Sequence, residues 1–354
     1  MSNHPLFITQ KVDLDDDILG VYHRWIEELA KRVEKLSVIC LYRGRVALPA
    51  NVSVYSLGKE DGQSRLKYLW RFYKYIWQLR KDYDKVFVHM NPEYVILAGW
   101  WWRLTNKKII FWYAHYLANL KLQIAAIFAN RIVTSTRLAY PLNSKKLTVL
   151  QQGIDIDKFK VLSPKKNMGH KILFLGRIAP VKDLETLLVA VNIVHHSVPD
   201  ITLDIFGDPT DSKPAEVAYY EKIKKLVSHL GLQNRVNFRG RVANQKTPQI
   251  YNQFDLFINL TTTGSFDKST LEAMACGLPV LVSNKAFFDI FDDKLSTELI
   301  FQEQNAADLA EKLKPIFAIT PRQHIELCRK MRETIKQKHD LPSLITRIVK
   351  LLSQ

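Results

Sequence analysis

The sequence predicts an α/β chain of two domains, each built on a parallel sheet, and three observations carry that expectation. Its 354 residues, at roughly 150 per domain, point to two domains. Short apolar runs bounded by turn residues alternate with longer segments of helical period, which is the pattern of βαβ units. That alternation pauses once, at the stretch 161–170 with its Pro, Lys, Asn and Gly, and then restarts.

Before the pause, strands are expected at 6–9, 36–41, 52–57, 85–90, 108–113, 131–135 and 147–151, with helices over 21–34, 65–81, 93–104 and 118–128. After it, strands are expected at 171–178, 201–208, 236–240, 255–260 and 279–283, with helices near 183–196, 216–230, 246–253 and 268–276. From 306 to 353 the period is helical, with Leu309, Leu313 and Ile316 on one face and Leu344, Ile348 and Leu351 on a later one, and Pro342 sets off the last helix. The expected domains are 1–160 and 161–341, with the helix at about 342–354 able to pack back on the first.

Composition removes several classes. With 47% apolar and 24% charged residues the chain is neither disordered nor fibrous. Its three cysteines, Cys40, Cys276 and Cys328, are far apart and form no CxxC pair, so neither a disulfide framework nor a cysteine-rich zinc site is expected, and a reducing cytoplasm fits. The start reads as a short strand running into acids rather than a signal peptide, and no apolar stretch has the length of a spanning helix.

The net charge of +16 calls for a partner carrying phosphate: nucleic acid, anionic lipid or a phosphorylated small molecule. Residues 31–146 hold 21 basic against 6 acidic side chains, so the N-terminal half has the cationic body.

Two segments carry the chemistry. GRIAPVKD, 176–183, ends a strand and opens a helix, with Asp183 placed to cap it. Gly176 permits close backbone approach, and Arg177 and Lys182 stand at the carboxyl edge of a strand, where an open α/β sheet binds ligands and two cations suit a diphosphate. A solvated basic turn would look the same.

The second segment, 261–283, runs from a strand through a Gly-containing loop into a helix starting near Lys268, whose free N–H groups are joined by the hydroxyls of Ser269 and Thr270. Glu272, one turn in, can accept hydrogen bonds from a ribose diol. Ser269-x-x-Glu272 equally spells a capping box.

In these two segments the chain resembles the GT-B glycosyltransferases of the family 4 type, which move sugar from a nucleotide-sugar with retention of anomeric configuration. The resemblance rests on GRIAPVKDLETLL followed about ninety residues later by STLEAMACGLPV, and on weaker features in the same order: the Gly20 loop, His115 after FWYA, QQGIDIDKF and IFGD at 205–208. It covers nearly the whole chain, most strongly 171–283. It implies two Rossmann-like domains facing a cleft, with Arg177 and Lys182 on the donor diphosphate and Glu272 on the ribose. It further implies Gly20 under the phosphates from the opposite domain, His115 facing the reacting sugar and its acceptor, and the nucleobase met at 239–242, partly through the Val242 backbone.

The chain departs from that family's E-x7-E pattern, because position 264 is Gly264; Asp267, Lys268 or loop N–H groups would meet the sugar instead. The resemblance implies no cofactor and no metal beyond the donor, and an acceptor that is a glycan or lipid-linked hydroxyl in bacterial cell-surface polysaccharide or glycolipid synthesis.

Other signals point elsewhere. DLDDD at 13–17 contains DxD, but its place at the chain start fits an acidic loop. His23 and Arg24 either reach an acceptor or a phosphate or form a helix-surface pair, and His89 and Asn91 either line the cleft or serve the fold. No GxGxxG follows the first strand, which argues against a dinucleotide dehydrogenase.

Residues 65–81 and 95–108 mix aromatics with Lys and Arg; in 65–81, Leu66, Leu69, Phe72, Tyr73 and Ile76 can share a face. That suits either an amphipathic helix packed on its own sheet or a peripheral helix on anionic lipid at the inner face of the membrane. No helix-turn-helix, RRM, KH or zinc-finger pattern appears, so nucleic acid is not the expected partner. A nucleotide-sugar-binding protein without catalysis is the alternative kept open by Gly264.

Overall fold

A computed structural model describes residues 4–16, 19–162 and 168–354. The chain divides into two compact units, Met1–Gly153 with Leu341–Gln354, and Ile154–Asp340.

The first unit holds a seven-stranded sheet of β1 (Leu6–Val12), β2 (Leu36–Arg43), β3 (Val52–Ser56), β4 (Lys85–His89), β5 (Lys108–Trp112), β6 (Arg131–Thr134) and β7 (Leu147–Val149), ordered β3-β2-β1-β4-β5-β6-β7. Every pairing is parallel, with Phe7 opposite Val38 on one side and Phe87 on the other. Central strands such as VFVH (86–89) and IIFW (109–112) are apolar throughout because both faces are covered. Helices Arg65–Gln78, Pro92–Leu104 and Leu120–Phe128 share a core with one face through Phe72, Ile76, Ala98, Trp102 and Leu122. Helices Val21–Ala30 and Leu341–Ser353 share the other core through Trp25, Ile26, Leu344 and Ile348.

The second unit holds a five-stranded parallel sheet of β8 (Lys171–Leu175), β9 (Thr202–Phe206), β10 (Val236–Gly240), β11 (Leu256–Asn259) and β12 (Val280–Val282), ordered β10-β9-β8-β11-β12. From β8 the chain first builds outward through β9 and β10, then crosses to β11 and β12. The strand order therefore reverses between β8 and β11, the point at which open α/β sheets leave a crevice at the carboxyl ends of their strands.

Residues 154–160, expected in the first domain, belong to the second unit. Ile154 donates its N–H to the His339 carbonyl at 2.7 Å, and Ile154 and Phe159 are buried in the second unit's core. The Arg332 guanidinium donates to the carbonyls of Ile156 and Phe159. Of the expected pause at 161–170, residues 163–167 lie outside the described set.

Candidate functional site

Because all five strands of the second unit run the same way, the loops after β8, β9, β10, β11 and β12 share one edge. After β8 the chain passes Gly176 and the exposed Arg177, makes a 3₁₀ turn at Pro180–Lys182 and enters helix Leu184–Val194. Asp183 caps that helix as its sequence suggests, from a left-handed backbone (φ 44°, ψ 51°), its carboxylate accepting from the Thr186 N–H. Aspartate is one of the few residues that tolerates this conformation.

After β11 the loop 260–267 leads to helix Lys268–Ala275. The two loops meet across the strand-order reversal: the Lys182 ammonium donates to the Thr261 hydroxyl at 2.9 Å and to the Asp267 carboxylate. Asp267 also accepts from the Thr261 hydroxyl at 3.0 Å and from the Ser269 hydroxyl and N–H at 2.6 and 3.2 Å. Burial pushes the Asp267 carboxyl up, but the Lys182 charge and these hydrogen bonds outweigh it and hold the group well below the usual carboxylate range.

Asp267 is therefore the N-cap of helix 268–275, and the capping box that Ser269 and Glu272 could have formed does not form. Glu272 is left for other work. Its side chain is buried, and the buried Tyr251 hydroxyl donates to its Oε2 at 3.0 Å. Burial pushes its pKa from 4.5 to about 7, against the pull of Tyr251 and of the Lys158 and Lys268 charges. The Thr270 hydroxyl, in the first turn of that helix, is fully buried with no hydrogen-bond partner among the described residues. A carboxylate and a hydroxyl desolvated at such a place carry a free-energy cost that a polar ligand relieves.

Arg177 pairs with Glu216 at 3.2 Å beside a shallow recess of about 560 Å3 lined by Ala179, Pro180 and Lys213. At Gly176 a methyl would make only ordinary contacts with the protein itself, at 3.7 Å or more. The crowded position is Gly207, at the end of β9: its φ is 133°, and a side chain would stand 2.0 Å from the Gly176 carbonyl oxygen. Gly207 also donates its N–H to Gly240 at 2.8 Å. Val242 lies half-buried in the loop after β10, and Gly264 donates its N–H to the Asn284 side chain at 3.3 Å.

Sequence reasoning missed Tyr251, Thr261, Glu216 and Gly207. Only Gly207 left a signal, in IFGD. A larger cavity of about 760 Å3, lined by Tyr251, Cys276, Cys328 and Arg332, holds none of Arg177, Lys182 and Asp267. That cavity and the charged strand edge are therefore separate features of the second unit.

In the first unit the strand order reverses between β1 and β4. Gly20 caps helix Val21–Ala30 and donates its N–H to the Asp16 carbonyl at 3.0 Å; a side chain there would strike that oxygen at 2.4 Å. His115 is half-buried in the loop after β5, its ring stacked 4.8 Å from Tyr116. His23 and His89 are buried, the first accepting from the Ala47 N–H at 3.1 Å, the second among Phe7, Tyr22, Trp25 and Trp112. Arg24 pairs with Glu27 and Glu28, and Asn91 with Gln10. In the acidic loop Lys11 holds Asp13 and Asp16 while Arg45 holds Asp15; Asp17 lies outside the described residues. Among the described residues no cluster of three or more His, Cys, Asp or Glu is arranged to hold a metal.

Two parallel sheets of this topology, each with its own switch point, define the GT-B class of glycosyltransferase folds. Residues 169–318 match the family model described as Glycosyl transferases group 1. The mannosylfructose-phosphate synthase of Agrobacterium fabrum is 28% identical over 153 residues, 41% of this chain and 34% of that protein. The D-inositol 3-phosphate glycosyltransferase of Streptomyces scabiei is 26% identical over 195 residues, 51% of this chain and 43% of that one. The matched regions thus span about a third to two fifths of these curated relatives. Among solved structures, Anabaena Alr3699/HepE in complex with UDP superposes with a TM-score of 0.76 at 18% identity over 100% of both chains. The sucrose-phosphate synthase of Thermosynechococcus elongatus does so at 0.74 and 17% over 99% of this chain and 98% of that one.

Proposed function

We propose that the protein is a retaining glycosyltransferase that moves a sugar from a nucleotide diphosphate sugar to an acceptor hydroxyl on a glycan or a lipid-linked glycan. The observation that carries this reading is the buried Glu272, held at Tyr251 beside an unsatisfied Thr270 hydroxyl, one helical turn from the Lys182–Asp267 pair at the strand-order reversal. A ribose diol satisfies the carboxylate. A diphosphate takes the Lys182 ammonium, the Arg177 guanidinium and the N–H groups of Lys268 and Thr270. Under the same proposal the Val242 backbone meets the base, Gly20 the phosphates and His115 the acceptor.

In the reaction the anomeric C–O bond to the β-phosphate breaks with its electron pair leaving on the diphosphate. The acceptor oxygen bonds to the same carbon on the face the phosphate vacates, and its proton passes to a phosphate oxygen. Arg177, Lys182 and the helix end stabilise the departing charge, which is where the barrier lies; we assign no cofactor and no metal to the step. That Anabaena Alr3699/HepE was solved with UDP and with UDP-glucose makes a uridine donor the first to try. The three thiols are free, which supports work in a reducing cytoplasm.

A binder without turnover is the second reading, favoured by Gly264, which brings no carboxylate to the loop. Incubation with a panel of nucleotide-sugars and glycan or polyprenyl-linked acceptors separates the two. Transfer or slow donor hydrolysis supports the enzyme; tight nucleotide binding with neither supports the binder; no nucleotide binding removes both.

A further inference from the structure

The outer surface of the three-helix layer on the first unit takes no part in the chemistry above. An amphipathic helix that buries one stripe normally turns a polar stripe to water. Helix 65–78 turns large apolar side chains to water along with its cations. The face expected from its sequence splits in two: Phe72 and Ile76 are buried, while Leu66, Leu69 and Tyr73 are exposed. Leu66, Trp70, Tyr73 and Trp77 recur at steps of four, three and four residues, a single line along the helix. All four are exposed, Leu66 at 80%, Trp70 at 61% and Trp77 at 55%. The line continues onto the next helix, because the Trp77 and Trp101 rings lie 5.9 Å apart and Trp100 meets Trp101 at 6.1 Å. That helix ends on Leu104, 76% exposed, and the third leaves Ile127 71% exposed.

The charge on the layer has one sign. Its helices carry Arg65, Lys67, Arg71, Lys74, Arg103 and Lys121 against a single carboxylate, Glu93, which Lys121 pairs at 2.8 Å. Cations sit over the exposed rings, Lys74 at 5.1 Å from Trp70 and Arg80 at 4.2 Å from Trp77. Indoles rimmed by ammonium and guanidinium groups, with aliphatic tips projecting between them, match the headgroup zone of an anionic bilayer: rings at headgroup level, cations on lipid phosphates, Leu and Ile tips at the acyl boundary. A nucleic acid would use the cations and ring faces but offers Leu66, Leu104 and Ile127 nothing to bury in. A second copy meeting the same face would set cation against cation. Among the described residues no helix is long and apolar enough to cross a membrane, so contact through this layer is interfacial.

We propose that the face formed by helices 65–78, 92–104 and 120–128 docks on an anionic lipid surface, with the Leu66–Trp70–Tyr73–Trp77 line as its apolar keel and Lys67 and Lys74 as headgroup contacts. This holds whether or not the second unit transfers a sugar.

The test uses the full chain and sedimentation with phosphatidylcholine vesicles, with and without phosphatidylglycerol, at low and high salt. The wild type is expected to partition onto the anionic vesicles about tenfold or more better than onto the neutral ones, and to release in high salt. Lys67→Glu with Lys74→Glu, and separately Trp70→Ala with Trp77→Ala, should each lose about tenfold in partitioning with circular dichroism and nucleotide affinity unchanged. Brominated lipid should quench tryptophan emission in the wild type and less in the tryptophan variant. Absence of vesicle binding, equal binding by the variants, a dimer on ultracentrifugation that the tryptophan variant dissolves without any vesicle binding, or duplex RNA outcompeting the vesicles for the same residues would each overturn the proposal.

Discussion

Replacing Glu272 by Gln isolates the cost of keeping a carboxylate in this site. In the folded protein its pKa is pushed up from 4.5 to about 7 by burial. The folded state therefore holds a proton that the unfolded chain has released, between about pH 4.5 and 7. Stability is lost as pH rises through that window, and the full cost is present above it. The difference between 7 and 4.5, at ~1.4 kcal/mol per unit, sets a ceiling of about 3 kcal/mol, of which relaxation and water entry leave about half. Glutamine keeps the acceptor for the Tyr251 hydroxyl and carries no charge. Urea unfolding of both proteins should thus give equal stability near pH 4.5 and a variant more stable by about 1–3 kcal/mol at pH 8. The same variant should bind nucleotide at least about tenfold more weakly, because a neutral amide accepts poorly from two hydroxyls. A variant less stable than the wild type at pH 8, or a difference that does not change with pH, would refute the reasoning.

Other substitutions probe the rest of the edge. Thr270→Val removes a buried hydroxyl that has no partner and should stabilise the protein by about 1 kcal/mol in thermal unfolding while weakening nucleotide binding. Lys182→Ala should cost activity by orders of magnitude. It should also destabilise by about 3 kcal/mol, since it strands the Asp267 carboxylate; adding Asp267→Asn should recover part of the stability and none of the turnover. Gly207→Ala, meeting the Gly176 carbonyl at 2.0 Å with φ at 133°, should cost about 3 kcal/mol in urea unfolding. Gly62→Ala, at φ 65° but with open space around it, should cost about 1 kcal/mol. Wild-type nucleotide affinity should fall as pH drops from 8 to 6, tracking protonation of Glu272, and the Glu272→Gln profile should be flat in isothermal titration.

The strands, the parallel sheets and the two carboxyl edges were legible because βαβ alternation is written in local periodicity, and unbroken apolar runs such as KILFL, 171–175, mark strands covered on both faces. The place of Arg177, Lys182 and Glu272 at that edge was legible because motif and strand end coincide. What the residues touch was not. Lys182 reads, with Arg177, as one of two cations at a helix entry, and only the folded loop at 261–267 supplies Asp267 and Thr261 from some 80 residues away. Ser269-x-x-Glu272 satisfied two local rules at once, and the choice went to Asp267 as cap because the cap position is fixed by where the chain leaves the loop. Tyr251 sits in a helical turn with no motif, and its role exists only through its 3.0 Å contact with Glu272. Residues 154–160 look like the tail of one domain because the linker signal follows them, yet Arg332, far along the chain, ties them to the other.

Isothermal titration of UDP, GDP and ADP into the wild type and into Glu272→Gln addresses the central claim most directly. One diphosphate should bind the wild type with micromolar affinity at pH 8, and that affinity should fall by about tenfold or more in the variant. Three flat titrations with the wild type, or a diphosphate that binds both proteins alike, would contradict the assignment of this strand edge as the donor site.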